Sequence, residues 1–371
     1  MRNIKAIVSL LLCLALVLGM APFKAVDAAD KSVPAYVALG DSITTGFGLS
    51  SFTNGDIKNK TNPQSFVVKL GKKLGMDTVN LGVEGYGSTE LLKLITNPSS
   101  QQKSDIDRLK KASLVTITVG GNNLLIPLIS AVNAKLGSGK SIYTSNASEI
   151  QTAVLGLLFD QTSLTNLENA LKDGVLKFTG DAKQKKPGEF AAIISQIKRL
   201  NPKAKIIVQT LYNPYKDLLF PEFAGYLDAM NSAIINGSSG GKNYMVADVA
   251  SAFANEEKGS ALVNSDNGKI FDPHPTAKGH DVIYTLMAYA ATNKLPYNVK
   301  SAVEKGKVSA KVSQGNLIIT VTPDKGYKTP KSISITISKA AKKIAAMTKG
   351  TASIPVADVD ADITISGACT K

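Results

Sequence analysis

The chain is poor in the residues that build metal and cofactor centres. It has two histidines and two cysteines in 371 residues. Cys13 lies inside an N-terminal apolar run, so a processed chain would keep only Cys369 and could form no intrachain disulfide. Two histidines and one cysteine make no zinc ligand set, and no cofactor is expected. Long apolar runs are equally scarce. One spans positions 7–20, about 14 residues where a membrane-spanning helix needs roughly 20. Arg2 and Lys5 precede it, and the small residues around Ala28 and Ala29 follow, so residues 1–28 are expected to be a signal peptide rather than an anchor. Leu12 before Cys13 is too large for a lipoprotein site. The mature chain is expected to have no transmembrane segment and to be secreted, with cell-wall association a further possibility.

Acidic residues are the other shortage. There are 29 Asp and Glu against 43 Lys and Arg, a formal charge of +14. Loss of residues 1–28 removes Arg2, Lys5, Lys24 and Asp27, two positive charges net. Such a balance favours anionic surroundings: wall polymers, lipid headgroups or acidic polysaccharide. Nucleic acid is not an expected partner, because arginines and aromatics are not interleaved and the chain is read as exported.

What is present is a regular alternation of strand-like and helix-like segments over residues 31–296. Apolar, β-branched runs at 35–39, 78–81, 114–119, 204–210 and 244–249 predict five strands. Helical patterns fall between and after them at 63–74, 89–95, 104–111, 189–200, 222–235 and 277–293. This order predicts an α/β domain whose parallel sheet is covered on both faces, with ligands at the carboxyl ends of its strands. Residues 124–186 interrupt the rhythm and look helical over 148–176. They would form either a lid or substrate wall, or a helical pair patching the core. Beyond Pro296 the texture changes. Val308, Ala310 and Val312 alternate with polar residues, as do Leu317, Ile319 and Val321, Ile333, Ile335 and Ile337, and Ile363 and Ile365. With Gly315-Asn316 and Asp324-Lys325-Gly326 between runs, residues 297–371 predict antiparallel hairpins in a small all-β domain. Its 12 lysines against 5 acidic residues make it the expected contact for anionic wall polymer, unless that face is merely solvated.

Both histidines lie in "FDPHPTAKGH", so a histidine general base must be His274 or His280. His280 falls within a helical pattern, where a packed or solvated role is the plainer expectation. His274 sits in a loop between two prolines, with Asp272 near enough to fix its tautomer. Ser42, in "YVALGDSITTGFG", follows a predicted strand at its carboxyl end. The helix expected after it would aim N-terminal amides at developing negative charge. A helix-capping serine is the bland alternative. Gly85 in "NLGVEGYGS" and Asn122 in "TVGGNN" follow the next two strands, and both residue types can donate to an oxyanion.

These four blocks resemble the SGNH, or GDSL, hydrolase family of esterases and lipases over about residues 36–295. The "TLYNPY" segment at 210–215 is similar to that of Gram-positive members. The resemblance implies a flavodoxin-like three-layer α/β/α fold with a five-stranded parallel sheet. It implies Ser42 as nucleophile, with its own amide, the Gly85 amide and the Asn122 side chain holding the oxyanion, and His274 as base. The family places an aspartate three residues before the histidine, where this chain has Phe271. Either Asp272, two before, orients His274, or a backbone carbonyl takes the third role. The tail resembles small β modules of Gram-positive surface proteins.

Three other motifs lead nowhere. "GSSGG" around Ser239 lies between a predicted helix and strand, the reverse of a nucleophile elbow. "GSGKS" at 137–141 has Ala134 where a phosphate loop needs its first glycine. The histidine and cysteine counts already argue against metal. The expected activity is hydrolysis of carboxylic esters, of a small molecule or a lipid. Deacetylation of an acylated polysaccharide, or a silent wall-binding protein on the same fold, is the alternative.

Overall fold

The computed structural model describes residues 35–49, 62–181, 183–215, 222–256, 261–267, 272–338 and 343–371. The expected signal peptide and Phe271 lie outside these residues.

The central sheet is built from β1 (Ala35–Gly40), β2 (Asp77–Asn80), β3 (Ala112–Thr118), β4 (Lys205–Gln209) and β5 (Met245–Ala247). Every pair is parallel, in the order β2-β1-β3-β4-β5. The central strands are apolar on both sides because both faces are covered. Val37, Leu39, Val115, Ile117, Ile206 and Val208 face one core, and Tyr36, Ala38, Leu114 and Ile207 face the other. The first core is closed by α3 (Ser88–Thr96), α4 (Lys103–Leu109), α5 (Gly121–Leu136), α6 (Ala147–Leu158), α7 (Gln161–Thr179), α8 (Glu189–Leu200) and α9 (Glu222–Gly237). The second is closed by α2 (Phe66–Leu74), α10 (Val249–Ala254) and α11 (Ala277–Thr292). Strand order reverses between β1 and β3, which opens a crevice at their carboxyl ends.

The insertion differs from its expected outline. It begins with a full helix, α5, where the dense apolar run with Pro127 gave no clear period. The predicted helical stretch then divides at Asp160, whose side chain caps α7 by accepting from Thr162 and Ser163 amides. Ile150, Leu157, Leu167, Leu171 and Phe178 are buried in the same core as the sheet, so α6 and α7 pack onto it.

Beyond Pro296 run β6 (Val299–Glu304), β7 (Gly306–Ser313), β8 (Asn316–Pro323), β9 (Ser332–Ile337), β10 (Lys343–Ala346), β11 (Thr351–Pro355) and β12 (Ile363–Ala368). They form two sheets, β11-β8-β7 and β10-β9-β12-β6, around a shared core of Leu317, Ile319, Ile333, Ile335, Ile363 and Ile365. β7 and β8 make the expected hairpin, but its turn is Gln314-Gly315, one residue earlier than predicted, with both residues at positive φ. The turn at Asp324–Gly326 does not close a hairpin. β8 and β9 lie in different sheets, and the turn hands the chain across so that each buries its apolar side. β6 and β12 pair in parallel, which adjacent alternating runs cannot reveal.

Residues Ala35–Lys371 form one compact unit. Val356 and Ala357 of the β region pack into the core that α10 and α11 close, and Asn255 Nδ2 donates to the Gln314 carbonyl at 2.8 Å. Gly315 comes so close that a Cβ would lie 2.4 Å from the Ala252 nitrogen, at φ +70°. Gly315→Ala should therefore lower stability by about 1–3 kcal/mol. Gly326→Ala is the control: φ is +86° but no atom lies within 4 Å, so only about 1 kcal/mol of backbone strain applies. Urea midpoints of the two variants measure the docking contact by difference.

Candidate active site

The site is assembled at the reversal point of the sheet. β1 ends in Gly40, at φ +143°, where a Cβ would sit 2.1 Å from the Thr118 carbonyl oxygen of β3. No side chain fits there, so the two strand ends close up. The Asp41 amide then donates to the Thr118 carbonyl (3.1 Å), and its carboxylate accepts from the Thr118 hydroxyl (2.7 Å) and the Ile43 amide (3.0 Å). Thr44 Oγ1 lies 2.8 Å from Thr118 Oγ1, and Asn80 Nδ2 donates to the Thr44 carbonyl (2.7 Å), tying in the end of β2. Ser42 stands on this braced corner. The helix expected behind it, α1, is a single turn, Ser42–Thr45, capped by Asp41. Gly46 ends it in the left-handed region, so its dipole is small.

His274 is brought in by a stapled loop. Its carbonyl accepts from the Asn264 amide (2.9 Å), Asp272's carbonyl from the Ser265 amide (3.0 Å), and Pro273's carbonyl from the Tyr212 hydroxyl (2.6 Å). The Phe47 ring lies 4.5 Å from the imidazole. His274 Nε2 is 2.9 Å from Ser42 Oγ, and Nδ1 is 2.6 Å from Asp272 Oδ1. The same carboxylate oxygen accepts the His274 backbone amide at 3.1 Å. That local turn lets an aspartate only two residues upstream reach the ring. A carboxylate can only accept, so Nδ1 carries the proton and Nε2 accepts from the serine hydroxyl.

Asn122 lies in the first turn of α5 and lines the same cleft as Ser42 and His274. Its Nδ2 donates to the Tyr86 carbonyl at 3.0 Å. Gly85 sits in an exposed turn closed by Tyr86 N–H to the Val83 carbonyl (3.2 Å), and it does not itself line the cleft. The Val83 amide donates to the Gly40 carbonyl (2.9 Å), so the Gly85 turn is bonded to the Ser42 corner and to Asn122. Asn123 braces the arrangement by accepting from the Ser88 amide (3.0 Å) and donating to its hydroxyl (2.8 Å). His280 is elsewhere: wholly buried, with Nδ1 accepting from the Phe66 amide (3.4 Å). Burial pushes its pKa down to about 3, so it stays neutral.

Leu124, Leu125, Leu211, Phe223 and Leu227 make the walls of the cleft apolar. Sequence patterns had not singled these out, although Leu211 and Tyr212 lie inside the "TLYNPY" segment. Among the described residues no cluster of three His, Cys, Asp or Glu could hold a metal, and no helix is long and apolar enough to cross a membrane.

A doubly covered parallel sheet with a hydrogen-bonded serine, histidine and aspartate at its carboxyl edge is the architecture of an α/β hydrolase. The chain belongs to the GDSL-like lipase/acylhydrolase family, whose model matches residues 38–282. Solved structures similar to it include a phospholipase A1 from Streptomyces albidoflavus NA297 (18% identity, TM-score 0.44, covering 70% of this chain and 99% of that one). An extracellular lipase from Streptomyces rimosus is similar too (16%, TM-score 0.45, 70% and 100%). So is an acetyl xylan esterase from Geobacillus stearothermophilus (15%, TM-score 0.39, 71% and 95%). No curated protein matches the sequence.

Asp41 makes this corner sensitive to pH. Burial pushes its pKa up to about 6, partly offset by the Thr118 hydroxyl, the Ile43 amide and the nearby His274. The folded chain therefore holds a proton that the unfolded chain releases from about pH 4. This contribution to stability is complete below that pH and is lost as pH rises through about 6. Asp41→Asn stays neutral and keeps an acceptor oxygen. Its stability relative to the parent should rise by about 2–3 kcal/mol between pH 4 and pH 8. Urea unfolding at the two pH values measures the change; an equal difference at both would remove the buried charge from the account.

Proposed function

We propose that the protein is a secreted serine esterase that cleaves carboxylic esters through an acyl-enzyme. The observation that carries this is the continuous relay from Ser42 Oγ through His274 to Asp272, at 2.9 and 2.6 Å, opening on an apolar cleft. Ser42 attacks the ester carbonyl while His274 Nε2 takes its proton, and Asp272 steadies the imidazolium that forms. The tetrahedral oxyanion is held by the Ser42 amide and by Asn122 Nδ2, whose second hydrogen is not needed by Tyr86; the Gly85 turn lies outside the cleft lining and braces Asn122 through the Tyr86 carbonyl. His274 then protonates the leaving alcohol, activates a water against the acyl-enzyme and returns the proton to Ser42. None of these steps calls for a cofactor.

The apolar walls support an acyl chain in the cleft ahead of a bare acetyl group. The N-terminal leader supports export, and the lysines of the β region support contact with anionic wall polymer once outside.

Purified protein should hydrolyse nitrophenyl esters. A series from acetate to palmitate should peak above acetate; a peak at acetate would favour a deacetylase. Ser42→Ala should abolish turnover, and absence of any Ser42-dependent hydrolysis would leave a silent binding protein. Asn122→Ala should lower kcat by about 10²–10³. Asp272→Asn should lower kcat on the order of 10³–10⁴ by stabilising the wrong tautomer. A loss below tenfold would mean that serine and histidine work as a dyad.

A further inference from the structure

One polar group in the cleft has no assignment in this chemistry. Gln209 is the last residue of β4, 1% exposed, and lines the cleft together with Ser42, Asn122 and His274. Its Oε1 is buried and has no hydrogen-bond partner among the described residues. The other polar side chains that line the cleft among the described residues are all engaged. Asp41 accepts from Thr118 and Ile43, Ser42 bonds His274, Asn122 donates to Tyr86, and Tyr212 donates to Pro273. Buried amides in folded proteins are almost always paired, and leaving one unmade weakens the fold. An orphan amide is least expected in the wall of an otherwise apolar pocket, where an aliphatic side chain of the same size would pack without loss.

We propose that Gln209 is a specificity-determining residue that recognises a hydroxyl group carried by the substrate, so that the preferred ester is a hydroxylated one rather than a plain alkyl ester. This rests on the esterase function proposed above. The chemistry points to a hydroxyl because it donates and accepts through one atom, and so satisfies either end of the amide. A charged group of either sign is disfavoured by the apolar walls, and an anion further by the carboxylate of Asp41 in the same cleft. A site with a buried, unpaired acceptor favours a ligand that brings a donor, because only that ligand gains the hydrogen bond and one lacking it leaves the acceptor unmade. The hydroxyl belongs either to the acyl part or to the alcohol part, and the two are separable by experiment.

The test compares matched esters by pH-stat titration, each rate divided by its hydroxide-catalysed rate to remove intrinsic reactivity. On the acyl side the pairs are methyl 3-hydroxybutyrate with methyl butyrate, and methyl 6-hydroxyhexanoate with methyl hexanoate. On the alcohol side the pair is 2-hydroxyethyl butyrate with propyl butyrate. At least one arm should show a tenfold or greater preference in kcat/KM for the hydroxylated member. Gln209→Met, of similar length and without the amide, should bring that ratio to within about twofold while keeping activity on the plain ester. Its urea midpoint should be unchanged or raised, since no protein hydrogen bond is lost. Ser42-dependent hydrolysis with flat ratios in all arms would overturn this inference alone. So would a preference that survives Gln209→Met, or a variant that is markedly destabilised, which would make Gln209 a structural residue. Absence of Ser42-dependent hydrolysis on every ester would overturn the esterase function and this inference with it.

Discussion

The structure depends on the contact between the carboxyl ends of β1 and β3. Gly40 has no side chain, and its position against the Thr118 carbonyl leaves room for none. Because the strands close there, the Asp41 carboxylate meets the Thr118 hydroxyl in a buried place, and Thr44 and Asn80 complete the network. Ser42 is fixed by its neighbours rather than by the one-turn helix that follows it. The same junction is where strand order reverses, so the crevice that the topology opens and the residue that needs it coincide.

Around that corner, each remaining part of the site is attached by hydrogen bonds to something rigid. The Gly85 turn is held to Gly40 through Val83, and Asn122 is held to the turn through the Tyr86 carbonyl. The His274 loop is held to Asn264, Ser265 and Tyr212. Preorganisation of this kind matters for acyl transfer, where donors must already point at the developing charge. The opposing polar burden is visible in Asp41, whose burial pushes its pKa up to about 6. A stable corner that carries a buried carboxylate is a compromise between packing and electrostatics close to His274.

The β region also takes part in the fold as a whole. Val356 and Ala357 enter the core beneath α10 and α11, and Gly315 meets the α10 backbone. That explains why α11 is buried nearly all round, His280 included, and has no clean polar face. A helix covered by a sheet on one side and by a second layer on the other has no side left for water.

The amino-acid sequence by itself determined the five parallel strands, most helices and the identities of Ser42, His274, Gly85 and Asn122 as candidates. Strand and helix periods are local, and site residues in open α/β sheets follow strand ends. Ser42, Gly85 and Asn122 were therefore legible from the runs preceding them, and His274 from the count of only two histidines. Tertiary structure decided the rest. Asp272 reaches Nδ1 through a local turn whose geometry no spacing rule predicts. Helix α5 was hidden by apolar density and Pro127. The turn at Asp324–Gly326 joins two sheets instead of closing a hairpin, because which strands pair is set by burial of distant residues against each other. Gln209 reads in sequence as an ordinary end to an apolar run. Its lack of a partner appears only when the whole cleft is closed around it, since hydrogen-bond satisfaction is a property of neighbours in space and not along the chain.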